Sequence, residues 1–391
     1  MTELIILPPL KAQLGQQGGY VLTKKYMEGV AELAKTWPGP ITSLVEITQT
    51  PSTDMDHAEF LPYHPNTPLE TRPDTQVALA ERLKDAALVV TFLAPSEELL
   101  VTICRKIGVP LVFWAEYSPK TEVQILKSES TNPLRRWRGQ SWLKGATRVR
   151  RQMVAHSAGL QCSGRPVYDA YADLSPSPMV FWDNRVRSAE IITDADLARR
   201  AARLRAGAPL RLAFGGRLIE MKGIQYLPEF AQKLRQIGAP FQLDIYGSGP
   251  READLRRQIA ACGMEDQIVL KGALDFRTAW LPTLRSEVDL FICPHPQGDP
   301  SSTYPETMSC GLPSVGFDNE AFASIAASSG SGWIVPTGDT VALARQVATL
   351  HQDRDQIIAH ARRARDFAQE HSFERTMQRR VAHFVSASQS V

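Results

Sequence analysis

Short apolar runs alternate with amphipathic stretches along almost the whole chain. Leu4 to Pro9, Thr42 to Thr48, Leu88 to Leu93, Val109 to Trp114, Ser157 to Cys162 and Met179 to Trp182 read as buried strands. Tyr20 to Lys35, Thr75 to Lys84 and Ser96 to Ile107 place apolar residues at helical spacing, and Lys11 to Gly19 reads as a loop. A helical, Ala/Arg-rich connector, Asp194 to Arg205, ends in Gly207-Ala208-Pro209, and the pattern then restarts. Strands follow at Leu210 to Gly215, Phe241 to Tyr246, Ile268 to Leu270, Val288 to Cys293, Ser314 to Phe317 and Gly332 to Val335. Helices are expected from Lys222-Gly223 to Gln236, up to Gly263, from Tyr304-Pro305, and over Val341 to His351, Gln356 to Gln369 and Phe373 to Val385. This alternation predicts an α/β protein with parallel sheets covered by helices, and two domains, 1–206 and 207–371.

Two stretches depart from the pattern. Gln49 to Pro73 is polar and proline-containing, long for a loop, and carries Asp54-x-Asp56-His57. A second Asp-x-Asp, Asp194 and Asp196, reads as a helix start with an acid in its first turn. Neither is assigned a metal. Residues 132–153 combine Arg135, Arg136, Arg138, Lys144, Arg148, Arg150 and Arg151 with Trp137, Trp142, Leu143 and Val149, with Lys127 upstream. That composition fits an anionic membrane surface, or a surface helix with snorkelling arginines.

Composition narrows the class. With 44 Lys+Arg against 42 Asp+Glu the net charge is +2, which argues against a dedicated nucleic-acid binder. No apolar run approaches the roughly 18 residues of a membrane span, and Met1-Thr2-Glu3 lacks the basic region and long apolar stretch of a signal peptide, so export is not expected. The five cysteines show no C-x-x-C spacing and are expected to be reduced and structural, as in a cytoplasmic protein.

The chemistry concentrates in the second half. Glycine-bearing loops at Gly215 to Gly223, Gly247 to Pro250 and Gly298 to Thr303 each link a strand to a helix, so they converge on one edge of a parallel sheet, where such folds bind ligands. Arg217 and Lys222 are spaced to bracket a diphosphate. Cations at a helix start oppose its dipole, so a purely structural role explains them poorly. Glu306 can accept hydrogen bonds from a ribose, and the amides of Ser302, Thr303 and Tyr304 can hold phosphate oxygens. Asp318, Asn319 and Glu320 emerge on the loop after the next strand. In the first half, Gly18-Gly19 marks either a close ligand approach or a tight turn.

Gly216-Arg217-Leu218 with Lys222-Gly223, Gly247-Ser248-Gly249-Pro250, Lys271-Gly272, and Pro305-Glu306 through Gly311-Leu312-Pro313 together resemble the donor-domain signature of family 4 glycosyltransferases, retaining enzymes of the GT-B fold. The resemblance implies two Rossmann-like domains facing across a cleft, nucleotide sugar on the second and acceptor on the first, with residues 372–391 returning to the first as a crossing helix. It implies that Gly216, Arg217, Lys222, Gly247, Gly249, Gly272, Ser302, Thr303, Tyr304 and Glu306 hold the nucleotide sugar. The family usually carries a glutamate where this chain has Gly298, with Asp299 beside it; Asp299, Ser301 and Ser302 are the candidates for sugar contacts. Where the family often has a histidine after a first-domain strand, this chain has Glu116, a candidate general base or sugar ligand. Gly18, Gly19, Tyr117, Lys120 and Glu122 complete the expected acceptor side. The activity this implies is metal-independent, retaining transfer from a UDP- or GDP-sugar to a glycan or lipid-linked hydroxyl, without a cofactor, in bacterial surface polysaccharide synthesis at the inner face of the membrane. Arg217, Lys222, Glu116 and Asp299 are its catalytic candidates. The alternatives are an epimerase or phosphorylase of the same fold, or a nucleotide-binding protein without turnover.

Overall fold

The computed structural model describes residues 3–50, 56–129 and 132–389. They divide into two compact units, the first holding Met1–Pro119, Trp137–Phe181 and Glu374–Val391, the second Lys120–Arg136 and Trp182–Phe373.

The first unit is built on β1 (Leu4–Leu7), β2 (Lys11–Leu14), β3 (Tyr20–Thr23), β4 (Ile41–Ile47), β5 (His57–Phe60), β6 (Leu69–Thr71), β7 (Leu88–Phe92), β8 (Leu111–Ala115), β9 (Gly159–Ser163) and β10 (Pro178–Phe181). Their order is β10-β9-β8-β7-β1-β4-β2-β3-β5, with β6 beside β4. Among the described residues only the β2–β3 and β3–β5 pairings are antiparallel. β1 and β9 are buried along their whole length, as continuous apolar runs covered on both faces should be.

Three expectations change here. Tyr20 to Thr23 is a strand, and the helix begins at Lys24 with Thr23 as its cap, the Thr23 hydroxyl accepting from the Tyr26 amide at 3.3 Å. Lys11 to Gly19 contains β2 and the turn of a hairpin. The polar stretch 49–73 supplies β5, whose pairing with β3 makes the strand, and β6 beside β4. Asp54 lies outside the described residues.

The last helix, Phe373–Ser388, belongs to the first unit from Glu374 onward. Arg380 Nε donates to Gln161 Oε1 at 2.7 Å, and its guanidinium lies over the rings of Phe181 and Trp114. His383 reaches the Ser177 carbonyl at 2.9 Å. Helix Pro133–Ala155 buries Leu143, Ala146, Met153 and Val154 and leaves Trp137 and Trp142 68% and 63% exposed.

The second unit holds β11 (Leu210–Gly215), β12 (Phe241–Tyr246), β13 (Ile268–Gly272), β14 (Leu290–Cys293), β15 (Ser314–Phe317) and β16 (Trp333–Val335), all parallel, in the order β13-β12-β11-β14-β15-β16. Between β13 and β14 a π-turn, Phe276–Trp280, leads into helix Leu281–Glu287, and Trp280 packs over Gly215 at the end of β11.

The sequence pattern divides the chain at Gly207, whereas the structure divides it at Trp182, because the connector packs on the second unit. Trp182 meets Phe367 edge-on, and Asn184 Nδ2 donates to Ser309 Oγ at 3.1 Å and to the His371 carbonyl at 3.0 Å. From helix Asp194–Arg205, the buried Arg200 guanidinium donates to the carbonyls of Gly311, Cys310, Leu284 and Arg285 at 2.5–3.0 Å. These are carbonyls that helix ends leave without partners. Arg200 thereby fixes the C-terminal end of Thr303–Ser309, the helix that carries Glu306.

Candidate functional site

The strand order of the second sheet reverses direction between β11 and β14. The loops leaving the carboxyl ends of those neighbours diverge around a crevice, the topological switch point at which open parallel sheets bind ligands. Residues 216–223 leave β11 and residues 294–302 leave β14. Gly223, at φ 77°, lies so close to the second loop that a β-carbon would collide with the Pro294 carbonyl. The left-handed Gly223 also explains a departure from expectation. Lys222 sits in a 3-10 turn, Glu220–Lys222, a second turn covers Ile224–Tyr226, and the regular helix starts only at Leu227.

Neighbouring loops are tied to the first by backbone bonds. Gly216 N donates to the Tyr246 carbonyl at 3.1 Å, Leu218 N to Ser248 at 2.9 Å and Gly247 N to Gly272 at 2.8 Å. Gly247, at φ 125°, leaves no room for a β-carbon beside the Gly216 carbonyl. So the structure brings Gly216, Gly247, Gly249 and Gly272 to one sheet edge.

Lys222 is buried, with Nζ 2.5 Å from the Asp299 carboxylate and 3.4 Å from Ser301 Oγ. Two of the catalytic candidates are therefore bonded to each other. Burial opposes the charge on Asp299, but the Lys222 ammonium outweighs it and holds the carboxyl below its ordinary range. Arg217 is exposed and its guanidinium makes no hydrogen bond or ion pair among the described residues, though its charge helps hold Asp299 ionised, so it is a cation the loop offers to a ligand.

Gly298 has no space for a side chain: a β-carbon would lie 2.6 Å from both Glu320 Cγ and Thr121 Oγ1. Thr121 donates to the Gly298 carbonyl at 3.1 Å and also bonds the Glu320 carboxylate, and Gln124 Oε1 accepts from the Gly298 amide at 3.0 Å. The volume a glutamate would fill at 298 is thus occupied by Glu320 and Thr121. Lys120 is exposed, with Nζ 3.9 Å from Glu320.

A second network backs the loop. Asn319 Oδ1 accepts from the Phe322 amide at 2.9 Å, which fixes the side-chain amide, and Asn319 Nδ2 donates to the His295 carbonyl at 3.0 Å. Asn319 also hydrogen-bonds the Tyr304 phenol, which burial keeps protonated. The phenol meets His295 Nδ1 at 2.9 Å. Burial first and the Lys222 charge second hold His295 down to about 3, so its imidazole is neutral. His295 and Gln297 are each 1% exposed, and His295 Nε2 and both polar atoms of the Gln297 amide have no partner among the described residues.

Glu306 is buried in the first turn of Thr303–Ser309, and its amide donates to the Ser302 carbonyl at 3.0 Å. Of the three amides considered for phosphate, that of Tyr304 already donates to the Ser301 carbonyl at 3.2 Å. In the first unit, the Gly19 and Gln17 amides bind Glu59 Oε1 at 3.0 and 2.9 Å, and Gly18, at φ 79°, is the exposed turn of the β2–β3 hairpin. Glu116 follows β8 and accepts from Trp114 Nε1 at 3.3 Å; Tyr117 is half-buried beside it in sequence. Glu116 and Tyr117 belong to the first unit, Lys120 and Glu122 to the second. Asp194 pairs with Arg365, and Asp196 closes a capping box with Thr193. Cys104, Cys162, Cys293 and Cys310 are buried thiols, each pushed up to about 12 chiefly by that burial. His295, Gln297 and Thr121 escape sequence reasoning, since an isolated histidine or amide in a proline-rich loop matches no spacing rule; Asn319 stood on the expected second loop, but its role as the tie between His295 and Tyr304 did not show.

Residues 209–353 match the family model described as glycosyl transferases group 1. The second unit carries a group 1 glycosyltransferase domain. That domain contains Arg217, Lys222, His295, Asp299 and Glu306. The chain is 29% identical over 188 residues to the putative colanic acid biosynthesis glycosyltransferase WcaL of Escherichia coli K12, covering 46% of this chain and 45% of the relative. It is 31% identical over 157 residues to the amylovoran biosynthesis glycosyltransferase AmsK of Erwinia amylovora, covering 38% of each. The chain thus spans less than half the length of these curated relatives. Among solved structures, Anabaena HepE in complex with UDP superposes with a TM-score of 0.67 over 99% of this chain and all of HepE, at 14% identity. That likeness places the chain in the GT-B fold.

Proposed function

We propose that this protein is a retaining glycosyltransferase that moves a sugar from a nucleotide sugar to a hydroxyl of a glycan or lipid-linked acceptor. The observation that carries the reading is the Lys222 ammonium, buried at the switch point inside the group 1 domain, with Arg217 exposed on the same loop. A buried cation between two strand-end loops is suited to an anionic ligand, and a diphosphate spans two cations so placed. HepE binds UDP and, in another structure, UDP-glucose, which makes uridine diphosphate sugars the first donors to test. WcaL and AmsK are named for colanic acid and amylovoran biosynthesis, which supports a bacterial surface polysaccharide as the product.

In the reaction, the bond from the anomeric carbon to the diphosphate breaks and the acceptor oxygen bonds that carbon on the same face. Negative charge grows on the leaving phosphate, and Arg217 and Lys222 stabilise it where solvent is scarce, the work other folds give to a metal ion. Glu306 accepts the ribose hydroxyls. Asp299 is the resting counter-ion of Lys222. Glu116, oriented by the Trp114 indole, is the candidate base for the acceptor proton.

The protein is proposed to work at the inner face of the membrane. Residues 132–153 contain no carboxylate, and helix Pro133–Ala155 exposes Trp137 and Trp142 among its cations, a pairing complementary to anionic headgroups. Co-sedimentation with phosphatidylglycerol vesicles but not phosphatidylcholine vesicles is expected, and Arg138→Glu with Arg148→Glu should release the protein; no sedimentation of the unaltered protein refutes the placement. Mixing the protein with UDP-sugars and saccharide or lipid-linked acceptors tests the activity, which a new glycosidic product supports.

A further inference from the structure

The ribbon β2-β3-β5 in the first unit has one face in the core and the other over a cavity. Ala12 and Leu22 point inward and pack with Met27, Val45 and Leu69. Directly opposed residues share a face, so the register puts Gln13 beside Val21, and Thr23 beside His57, on the outer side, with Lys11 joining them by alternation. His57 comes from the polar stretch 49–73 that the strand pattern leaves unexplained. Thr48 and Thr50, beyond the carboxyl end of β4, complete a cavity of about 290 Å³ on that face.

The polar groups of its lining are partly committed, and in a definite sense. Gln13 Nε2 donates to the Gln49 carbonyl at 3.4 Å, which leaves its Oε1 as an acceptor. The Thr48 hydroxyl accepts from the Thr50 amide at 3.1 Å and the Thr23 hydroxyl from the Tyr26 amide at 3.3 Å, so each keeps a proton to donate. The Lys11 ammonium is paired with Glu46 at 3.1 Å. Hydroxyl donors, an amide acceptor and the aliphatic carbon of Pro9 and Val21, with the lysine already compensated, suit a neutral polyhydroxylated ring better than an anion. The volume lies at the small end of ligand sites and takes one ring, not a nucleotide. Its position also matters. β2 stands four places from β8 in the sheet, roughly 19 Å at about 4.8 Å per strand, and Glu116 follows β8. A ring held here is too far from Glu116 to react there, and only an extended glycan reaches both.

We propose that this pocket is a second saccharide site, holding one neutral ring of an extended glycan at a distance from its reacting end. That the glycan is the acceptor rests on the transferase reading; the binding itself does not.

The test is saturation-transfer NMR on the full chain with methyl α-glucopyranoside, methyl α-galactopyranoside and methyl α-fucopyranoside at millimolar concentration, then titration of those that bind. At least one should bind the unaltered protein without nucleotide. Val21→Phe, which fills the cavity from β3, should remove that binding. Gln13→Leu, which deletes the amide at similar volume, should weaken it by roughly 3- to 10-fold, the loss of one neutral hydrogen bond or a little more, and serves if Val21→Phe does not fold. Both variants should leave UDP affinity unchanged, since Arg217 and Lys222 belong to the other unit. No binding of any of these glycosides, binding that the folded variants leave intact, or displacement of the glycoside by inorganic phosphate overturns the pocket and leaves the nucleotide site standing. Glycoside binding that Val21→Phe removes, in a protein that takes no UDP-sugar, upholds the pocket and overturns the UDP-sugar reading instead.

Discussion

Replacing Asp299 by asparagine should strengthen nucleotide binding. Lys222 Nζ is 2.5 Å from the Asp299 carboxylate, and the two side chains are only 10% and 16% exposed, so the ammonium is largely neutralised before any ligand arrives. A phosphate oxygen at the roughly 2.8 Å of a charge-assisted bond to the same ammonium lies at most about 5 Å from that carboxylate. Two like charges at that separation repel by about 3 kcal/mol at an effective dielectric near 20. Residual solvent and salt screening reduce this to about 1–2 kcal/mol, a gain of roughly 5- to 30-fold in UDP affinity for Asp299→Asn. The same change leaves Lys222 without its counter-charge, so the protein without ligand should lose about 1–3 kcal/mol of stability. Titration calorimetry with UDP at fixed ionic strength measures the first effect, and urea unfolding without ligand measures the second. A folded variant that binds UDP no better than the unaltered protein refutes the counter-ion role and restores Asp299 as a direct ligand contact.

Three further outcomes follow from the same geometry. Glu306→Ala should weaken UDP binding roughly 10- to 100-fold, since hydrogen bonds to a charged group contribute about 1.5–3 kcal/mol; unchanged affinity in a titration removes the ribose assignment. Arg200→Met should cost about 2–4 kcal/mol in urea unfolding because it strips four buried carbonyls of their donor, and a loss below about 1 kcal/mol shows those carbonyls find other partners. Stability should fall on acidification from pH 6.5 toward 4. Burial, with Lys222 next in weight, holds His295 to about 3, and burial with Arg363 holds His360 to about 4. The unfolded chain therefore takes up protons below about 6.5 that the folded chain refuses, at up to about 1.4 kcal/mol per pH unit for each histidine. Unfolding midpoints measured from pH 7 to 4.5 should show this slope, and His295→Asn should flatten it; a level profile contradicts the buried neutral state.

The second unit was far more legible in the sequence than the first. β11, β12 and β15 stand where their apolar residues place them: β15 is buried throughout, while β12 alternates buried Phe241, Leu243 and Ile245 with half-buried Gln242 and Asp244. Gly216 and Gly272 announce themselves by positive φ values of 151° and 75°, and Gly247 by φ 125° together with its close approach to the Gly216 carbonyl. β3 and β5 were not legible. Tyr20-Val21-Leu22-Thr23 runs directly into a helix, and His57 to Phe60 is polar; only their mutual antiparallel pairing makes them strands. The division at Trp182 also hides, since it depends on Trp182 and Asn184 finding Phe367, Ser309 and His371, far away in sequence.

Within the site, residue types foretold charge but not pairing. Lys222 and Asp299 stood out as separate candidates, yet a contact across the crevice joins them. Gly298 is glycine for a reason no local pattern carries: Thr121 and Glu320, from two other elements, fill its side-chain space. His295 Nε2 and the Gln297 amide lack partners among the described residues, and an unsatisfied atom is visible only once its surroundings are in place.

The most direct measurement of the central claim is proton NMR of the protein with α-linked UDP-sugars and a saccharide or lipid-linked acceptor, followed from mixing. The account predicts UDP release together with a new α-glycosidic anomeric signal on the acceptor, both lost in Arg217→Ala with Lys222→Ala. A β-linked product contradicts retention, and a donor that is epimerised, or bound and left intact with every acceptor, contradicts the transferase reading.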